Sequence, residues 1–435
     1  MDFDIDSQTI SDLNIFNSSK NEKSVFDFFS MTKTHGGKIK LKYMLSNPLS
    51  DITLIEHRQE SIAFFQKNKF KLNKEDLDFI DYYLYRLDYP VRKISKIEAM
   101  YKALKYKIRP TKESYIIENA VTIIIGLILA FQEFFSKENL PEAICESRDK
   151  FNETLGEKVR FEAKILSWEI IRLDYRFRYR LLDYLRSLLQ LAYEYDALMT
   201  VASIAANKKM VFPKMLPASE NVMEIDGLTH LLLENPVANS VNFSEDKNIM
   251  FITGPNMAGK STFMKSLGVA VYLSHIGFPV SAVNMRLSVL EGVSSTINLA
   301  DNLASNESHF YAEVNRIKKV ALTMKKRGRM LILFDELFRG TNIKDAYDGS
   351  LAVIKAFTRV KSSFIAVSTH IVEVAEQLKA INNISFKCFH GKILNAEPVY
   401  SYKIQEGVSE DRLGMYIIEK ENIINTILSI NNETI

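Results

Sequence analysis

The segment that most constrains this chain is Gly254–Ser261, with the sequence GPNMAGKS. It fits the pattern G-x-x-x-x-G-K-[S/T] and stands between an apolar, strand-like run, NIMFITG, and a stretch with helical periodicity. In this setting glycines allow the backbone to wrap closely around phosphate groups. The loop amides and the N-terminus of the next helix supply positive potential. The segment therefore predicts a phosphate-binding loop. A chance glycine turn is disfavoured, because the apolar strand, the glycine loop and the Lys-Ser pair follow one another at the spacing that the pattern requires.

Within this loop, Lys260 is expected to reach the β and γ phosphates of a nucleotide, and Ser261 to bind Mg²⁺. A nucleotide and Mg²⁺ are thus the predicted ligands of the loop. The predicted nucleotide contacts comprise the loop and the residue that follows it: Gly254, Pro255, Asn256, Met257, Ala258, Gly259, Lys260, Ser261 and Thr262.

Two further apolar runs end in residues suited to catalysis. The run MLILFDE ends with Asp335 and Glu336, which point in different directions because side chains alternate along a strand. We expect Asp335 to orient the Mg²⁺ shell and Glu336 to position or deprotonate the attacking water. The run SSFIAVSTH ends with His370, which can sense the γ phosphate if the three strands are neighbours. Lys260, Glu336 and His370 are therefore the predicted catalytic residues; a solvated acidic strand end and a structural histidine are the alternatives.

Periodicity divides the chain into two predicted domains, 1–206 and 207–435. The first has apolar residues at helical spacing, and its run from Lys158 to Ala205 contains neither Pro nor Gly. Unbroken, this run would form a rod of about 60 to 70 Å. In the second domain, strands alternate with helices predicted over Gly259–Ile276 and His309–Lys326, which indicates a mostly parallel sheet covered on both faces. The predicted fold class is a helical domain followed by an α/β domain.

The composition is typical of a soluble, cytoplasmic protein. Of 435 residues, 47% are hydrophobic, and the net charge of +3 is too close to balance to indicate a nucleic-acid or membrane partner by itself. Cys145 and Cys388 are the only cysteines, which argues against a disulfide framework. The start, MDFDIDSQTI, lacks the pattern of a signal peptide.

Two helical stretches leave alternatives open. Ala120–Phe131, AVTIIIGLILAF, is shorter than the roughly 20 residues needed to span a membrane, so we predict a buried helix, with an interfacial or partner-binding helix as the alternative. Leu173–Arg186, LDYRFRYRLLDYLR, interleaves aromatic and arginine residues that could stack on bases. Ordinary helical packing with solvated arginine heads is the preferred interpretation.

Together these motifs resemble the MutS family of DNA mismatch-repair ATPases, whose nucleotide domain is of the ABC class. The resemblance rests on TGPNMAGKSTFMKSLG, HIGFPVSA, NLASNESHFYAEV, DELFRGT and STH, and on YKIQEGVSEDRLGMYIIEK near the end. It extends less specifically to Phe26–Ile62 and Ala192–Ala205 in the helical half. It implies a homodimer in which Ser308 touches the γ phosphate bound by the other subunit. Asn239, ahead of the first strand, is the candidate for an adenine contact.

The chain also departs from the family pattern. Ala258, Asn306 and Phe338 stand where glycines are common, and NIKDA resembles a small insertion. We also expect the mismatch-reading and connector domains of the family to be absent. The expected function is ATP hydrolysis that gates DNA engagement by helical levers, on branched or unusual DNA, with a possible repair-pathway protein partner. The alternative is a nucleotide-switched protein-interaction module without DNA binding. A transporter ATPase is disfavoured because NLASNESHF is unlike LSGGQ.

Overall fold

The computed structural model describes residues 3–16, 23–85, 91–155, 165–297, 309–394, 397–409, 411 and 414–430. The chain forms two compact units. The sheet unit contains residues 1–28, 48–56 and 208–435, and the helical unit contains residues 29–47 and 57–207. This differs from the expected division into 1–206 and 207–435, because the first 28 residues pack with the sheet that follows much later in the chain.

Up to residue 208, the described elements are mostly helices. In chain order they are β1 (Asp4–Ile5), α1 (Ser7–Asp12), α2 (Val25–Phe29), α3 (His35–Ser46), α4 (Ile52–Lys67), α5 (Lys74–Tyr85), α6 (Lys96–Ile108), α7 (Lys112–Phe135), α8 (Glu142–Leu155), α9 (Ser167–Tyr175), a π-helical turn (Arg176–Arg180) and α10 (Leu182–Lys208).

Strands and helices alternate in the rest of the chain. The elements are β2 (Lys214–Leu216), a 3₁₀ turn (Ala218–Glu220), β3 (Met223–Leu228), β4 (Asn239–Phe243), β5 (Ile249–Thr253), α11 (Lys260–Ile276), β6 (Asn284–Ser288), β7 (Gly292–Thr296), α12 (His309–Arg327), β8 (Met330–Asp335), α13 (Ile343–Phe357), β9 (Phe364–Ser368), α14 (Val372–Leu378), β10 (Ile384–Leu394), β11 (Glu397–Glu406), α15 (Gly414–Lys420) and α16 (Ile423–Ile430).

The main sheet has seven strands in the order β1-β7-β8-β9-β5-β10-β11. All of its pairs are parallel except β10 with β11. This confirms the predicted mostly parallel sheet, and the three predicted apolar strands, β5, β8 and β9, are consecutive in it. Asp335 lies opposite Ser368, which in turn lies opposite Ile252, so the carboxyl ends of these strands meet at one edge. A smaller sheet, β2-β6-β3-β4, was not predicted.

The core next to this edge is built from fully apolar strands. Ile332 and Phe334 of β8 and Val367 of β9 are almost completely buried, and Phe357 of α13 and Leu378 of α14 belong to the same apolar cluster. Each such side chain contributes about 1.5–3 kcal/mol through removal from water. This packing fixes the positions of β8 and β9, and it therefore also fixes the polar residues at the ends of these strands.

An N-terminal arm, residues 3–16, completes one side of the sheet unit. β1 pairs in parallel with β7, and Arg316 of α12 forms an ion pair with Asp6. Burial of Asp6 alone would raise the pKa of its carboxyl group, but hydrogen bonds from Arg316 and Thr9 hold that pKa well below its usual range. Asp12 accepts hydrogen bonds from Ser295 Oγ (2.7 Å) and from the N–H of Ile297 (2.9 Å). The arm is thus fixed by buried charge pairing.

The helical unit differs from the expected rod. Its run of residues without Pro or Gly changes from α-helical to π-helical geometry at Arg176–Arg180 and is interrupted at Leu181 before α10 begins. Within this run, Arg178 Nε donates to Asp174 at 2.9 Å, and Tyr83 Oη donates to the same carboxylate at 2.6 Å. These contacts agree with helical packing at Arg178 but not with the expected solvated arginine head, because this side chain is only 8% exposed and is paired with Asp174.

The apolar stretch around residue 125 is longer than the sequence suggested. It belongs to α7, which has 24 residues and, among the described residues, is the one helix long and apolar enough to cross a membrane. About half of its most apolar window is buried inside the protein. Ile117, Ile124, Ile128 and Phe131 are among its almost fully buried side chains, which agrees with the predicted buried helix.

Candidate functional site

The predicted phosphate loop connects β5 to α11 and depends on two glycines with left-handed backbone. Gly254 has φ +141°, and a Cβ atom at this position would lie 2.5 Å from the carbonyl oxygen of Phe389. Gly259 has φ +106° and directly precedes the first residue of α11. Met257 also has a positive φ, +67°, and its side chain is exposed. Glycine is therefore required at Gly254 both by conformation and by the close approach of β10.

Lys260, the first residue of α11, is folded back onto the loop. Its Nζ atom donates to the carbonyl oxygens of Gly254 (2.8 Å) and Pro255 (3.1 Å), and the residue is buried. Burial lowers the pKa of Lys260; the nearby carboxylates of Glu336 and Asp335 oppose this effect only in part. A buried ammonium group held by neutral carbonyls is suited to bind an anion, because the anion would offset its desolvation.

Asp335, the last residue of β8, links the loop to the neighbouring strand. Its carboxylate accepts hydrogen bonds from the hydroxyl groups of Ser261 and Ser368. The donor set at this point is one carboxylate and one hydroxyl, and no group of three or more His, Cys, Asp or Glu side chains that could hold a metal occurs among the described residues. Mg²⁺ is usually bound through one or two protein oxygens together with water and phosphate oxygens. Ser261 and Asp335 fit such a site.

Glu336 occupies the turn directly after β8 with an unusual backbone conformation. Its φ is +57°, a value that costs a non-glycine residue roughly 1–3 kcal/mol and is often found at functional sites. The N–H group of Glu336 donates to the carbonyl oxygen of Ser368 at 3.0 Å, which holds the turn against β9. Its carboxylate lies 3.8 Å from His370 Nδ1. The structure thus brings Glu336 and His370 together, as the adjacency of β8 and β9 requires.

Sequence reasoning missed two residues of this cluster. Arg339 Nε lies 2.9 Å from Glu336 Oε2, and its Nη2 atom lies 3.7 Å from Asp335 Oδ2, so one guanidinium group faces both carboxylates. Ser368 donates to Asp335 from the neighbouring strand. Arg339 could have been found from its spacing of three residues after Glu336 within DELFRGT. The role of Ser368 depends on the pairing of β8 with β9, which no local pattern reveals.

A cleft of about 600 Å³ lies over the loop, within the size range of small-molecule sites. The cleft is lined by polar residues of the loop and of the β8 turn and also by Val237, Phe389 and Tyr402. Several predicted site residues line this cleft: Asn239, Asn256, Met257, Gly259, Lys260, Ser261, Thr262 and Glu336. Three loop residues do not line the cleft: Gly254, Pro255 and Ala258. Asp335 adjoins the cleft through its hydrogen bond with Ser261, and His370 adjoins it through Glu336.

Asn239 has a structural role in the wall of the cleft. Its Nδ2 atom donates to the carbonyl oxygen of Tyr402 at 3.0 Å, and its Oδ1 atom accepts from the N–H of Ile404 at 2.9 Å. Both ends of the side-chain amide are therefore used to hold β11 beside β4. The adenine contact expected from this residue stays a prediction.

Two of the positions where glycine was expected behave differently in the structure. Phe338 has φ +62°, so its backbone adopts the conformation that favours glycine, yet its ring is buried against Phe310 and Gly349. Ala258 is fully buried and does not have a positive φ. The loop therefore tolerates alanine at 258, whereas phenylalanine at 338 is held in place by its packing. Ser308 and Asn306 lie outside the described residues.

The fold and the site together define a class: an α/β domain in which a glycine loop, a helix N-terminus and two strand-end carboxylates meet at one edge of the sheet. Comparison with known proteins points to one family. Residues 250–435 match the family model for MutS domain V. The chain is 30% identical over 227 residues to the DNA mismatch repair protein MutS of Anaplasma phagocytophilum, covering 52% of this chain and 27% of that protein.

Two other relatives are also DNA mismatch repair proteins MutS. The DNA mismatch repair protein MutS of Halalkalibacterium halodurans is 30% identical over 286 residues, covering 61% of this chain and 32% of the relative. The corresponding protein of Bacillus cereus is 27% identical over 350 residues, covering 73% of this chain and 38% of the relative. The chain is therefore similar to MutS proteins, most clearly over residues 250–435, and its matched part spans about a third of the length of these relatives.

Proposed function

We propose that the chain is an ATPase of the ABC-class P-loop type that couples the nucleotide state to engagement of DNA. The observation that carries this proposal is the meeting of Lys260, the Ser261–Asp335 pair and Glu336 at the carboxyl edge of three consecutive strands. Open α/β sheets bind their ligands at this edge. The names of the MutS relatives support a role in DNA mismatch repair.

Binding of ATP follows from the chemistry of the loop. The triphosphate would lie on the loop amides and the N-terminus of α11, and Lys260 would exchange its two carbonyl partners for β and γ phosphate oxygens. Ser261 and Asp335 would hold Mg²⁺, which would offset the negative charge of the phosphate groups. The base would contact apolar side chains that line the cleft, namely Val237, Phe389 and Tyr402.

Hydrolysis is assigned to the cluster after β8. Glu336 would orient and deprotonate a water molecule for in-line attack on the γ phosphate. His370 lies beside Glu336 and would sense the same phosphate. Arg339, which now pairs with Glu336, would have to release this carboxylate before it accepts a proton.

The family resemblance supports a homodimer with composite sites. Ser308 of one subunit would contact the γ phosphate held by the other, so ATP favours the engaged dimer and hydrolysis releases it. A ligand can shift such an equilibrium only by its difference in affinity for the two states, and the γ phosphate supplies that difference. The helical unit would transmit the change to DNA, and branched or unusual duplex is the substrate we favour.

The decisive test of hydrolysis is Glu336→Gln. We expect ATP turnover to fall by a factor of about 10² to 10⁴, as for the loss of a general base, while ATP binding and ATP-dependent dimerisation survive. Glu373→Gln on α14, an exposed carboxylate outside the cleft, is the matched control and should leave turnover unchanged. Retained turnover in Glu336→Gln would remove this residue from its catalytic role.

The DNA proposal needs a separate measurement. A gel-shift series with matched, mismatched, junction and single-stranded DNA, with and without ATP, should show ATP-dependent binding to the junction above the matched duplex. If no DNA bound while ATP turnover remained, the alternative of a nucleotide-switched protein-interaction module would replace it. Affinity purification after nuclease treatment would then identify the protein partner.

A further inference from the structure

Helix α6 carries an apolar stripe on its solvent side. Ile97, Met100, Tyr101, Leu104 and Ile108 are between 50% and 81% exposed. Their spacing of three or four residues places them on one face of the helix, over about three turns. An exposed apolar patch of this kind marks an interaction surface rather than ordinary surface variation.

The stripe is distinct from the face that packs α6 into the helical unit. Ala99 is completely buried, and Lys96 Nζ lies 4.7 Å from the ring of Trp168 on α9, the helix with which α6 makes its main contacts. A capping box between Ser95 and Glu98 fixes the start of α6. The helix is therefore anchored from one side, and its opposite side presents apolar residues to solvent.

Basic side chains surround the stripe. Lys105 and Lys107 are exposed and, at 100° per residue, flank the stripe on either side. From residue 92 to residue 113 the chain carries eight basic residues and two acidic ones, Glu98 and Glu113, which pair with Arg92 and Lys102. This local excess is larger than the net charge of +3 of the entire chain. The surface therefore combines an apolar stripe with basic side chains along both of its edges.

We propose that this face of α6 binds an anionic lipid surface. A helix of 13 residues is too short to span a bilayer, but an apolar face flanked by lysines is the pattern of helices that lie in the interface plane. The apolar stripe would enter the boundary between headgroups and acyl chains, while the lysines contact acidic headgroups. Nucleic acid would use the lysines alone, because phosphate contacts leave large aliphatic side chains without a partner. This surface is independent of the ATP site.

The chain contains its own reporter for the test. Trp168, the single tryptophan, lies beside α6. The full chain is mixed with vesicles of phosphatidylcholine, with and without phosphatidylserine, and binding is followed by co-sedimentation and by Trp168 emission. We expect binding to the phosphatidylserine vesicles, with a change in emission, and binding that weakens as salt is raised.

Two variants separate the apolar and the charged contributions. Replacement of Ile97, Leu104 and Ile108 by serine should weaken partition to anionic vesicles by about tenfold or more, because binding scales with the apolar area that is buried. Lys105→Glu with Lys107→Glu should abolish the preference for phosphatidylserine. Since these side chains are exposed, circular dichroism should be unchanged.

The matched control removes exposed apolar side chains elsewhere in the helical unit. Ile39→Ser with Tyr43→Ser, on α3, should leave vesicle binding unchanged. The proposal fails if the unmodified chain ignores anionic vesicles or if the α3 control loses binding equally. It also fails if the stripe variant retains vesicle binding. In that case, a change in the oligomeric state of the variant would assign the stripe to contact with a second copy of the chain. A change in its DNA binding would instead assign the stripe to contact with nucleic acid. ATP turnover is measured in parallel, so failure here is separate from failure of the ATPase proposal.

Discussion

The sheet unit and the helical unit both bury charged groups, but they use them differently. In the sheet unit, Lys260 and Asp335 are buried at the open edge of strands, where each lies next to a cleft. In the helical unit, Asp174 and Asp196 bind groups far away in the sequence, Tyr83 and Thr34, and join chain segments. At the strand edge of the sheet unit, burial of charge therefore prepares a chemical site, whereas at Asp174 and Asp196, as at Asp6 in the N-terminal arm, it fixes the fold. Substitutions at similar burial should accordingly change activity in the first case and stability in the second.

The largest effect is expected for Lys260→Met. Loss of the buried ammonium group should reduce ATP turnover by a factor of about 10² to 10³, the usual consequence of removing a charge-stabilising group, with little change in the unfolding midpoint. Lys265→Met, in the same helix but away from the cleft, is the control and should retain turnover. A large fall in stability of Lys260→Met without a loss of nucleotide binding would break the comparison.

The matching change in the helical unit is Asp196→Ala. Asp196 is 1% exposed and accepts hydrogen bonds from the N–H of Thr34 (2.8 Å) and from its hydroxyl group (2.7 Å). Removal of this carboxylate leaves buried donors without partners and should lower the free energy of unfolding by about 3 kcal/mol. Asp183→Ala, almost fully exposed, should change it by less than about 0.5 kcal/mol. Denaturant unfolding monitored by Trp168 fluorescence measures both.

Phe338 sharpens the comparison within the sheet unit, because packing and backbone preference oppose each other there. Phe338→Ala should destabilise by about 3–4 kcal/mol through loss of a buried ring. Phe338→Gly should be less harmful than Ala by about 1 kcal/mol, because φ at this position is +62°. Phe334, in the extended backbone of β8, is the control, and there glycine should be worse than alanine. Urea titrations measure the stability of the four variants. The explanation would be refuted if alanine were better tolerated than glycine at Phe338 and glycine better tolerated than alanine at Phe334.

Acidification should weaken the sheet unit through His275. Burial lowers the pKa of His275 from 6.5 to about 4, although the carbonyl oxygen of Leu49 accepts from its Nδ1–H and acts in the opposite direction. The folded unit therefore binds fewer protons than the unfolded chain between these two pKa values, and its stability falls as the pH is lowered through this window. We expect a loss of about 2 kcal/mol from pH 7 to pH 5.

Asp6 does not contribute in that range. Its pKa is lowered from 3.8, so the stability that it provides is present above this value and is lost only as the pH falls further. His275→Gln should remove the dependence between pH 7 and pH 5, as measured by chemical unfolding of the sheet unit at each pH. An unchanged slope in this variant would place the sensitive group elsewhere.

The smallest effect is expected for Ala258→Gly. Because Ala258 has an ordinary backbone conformation, the glycine usual in the family gains little here and costs about 1 kcal/mol at most through chain entropy. ATP turnover should stay within about twofold of the unmodified chain, a change of less than about 0.5 kcal/mol. A steady-state assay at saturating ATP is sufficient, and a large gain would show that the alanine constrains the loop.

The candidate site was predictable from sequence wherever its parts are local. The phosphate loop, β5, β8 and β9 follow from glycine spacing and from continuous apolar runs, which are typical of strands buried on both faces. Helices α11 and α12 begin and end within a residue of their predicted limits. These segments have one strong pattern each, so distant contacts were not needed to recognise them.

The remaining features depend on contacts between distant residues. β1 has two residues and gains its partner 288 positions later at Gly292, and the short strands of the second sheet have mixed burial. Ser368 acquires its role only because β9 lies beside β8. The change to π-helical geometry at Arg176 has no local signal in the sequence that we recognise. The prediction of these features from sequence was therefore limited by long-range strand pairing and not by weak secondary-structure propensity.

The two-residue strand β1 has a consequence for how the protein can be shortened. It covers the side of β7 along Gly292 and Val293, and a Cβ atom at Gly292 would lie 2.5 Å from the carbonyl oxygen of Asp4. Without this cover, β7 would present unpaired N–H and C=O groups to other copies of the chain, the situation that leads to edge-to-edge aggregation. A form that lacks residues 1–16 should therefore lose solubility before the phosphate loop and the strand ends beside it are disturbed, so the arm protects the sheet from self-association.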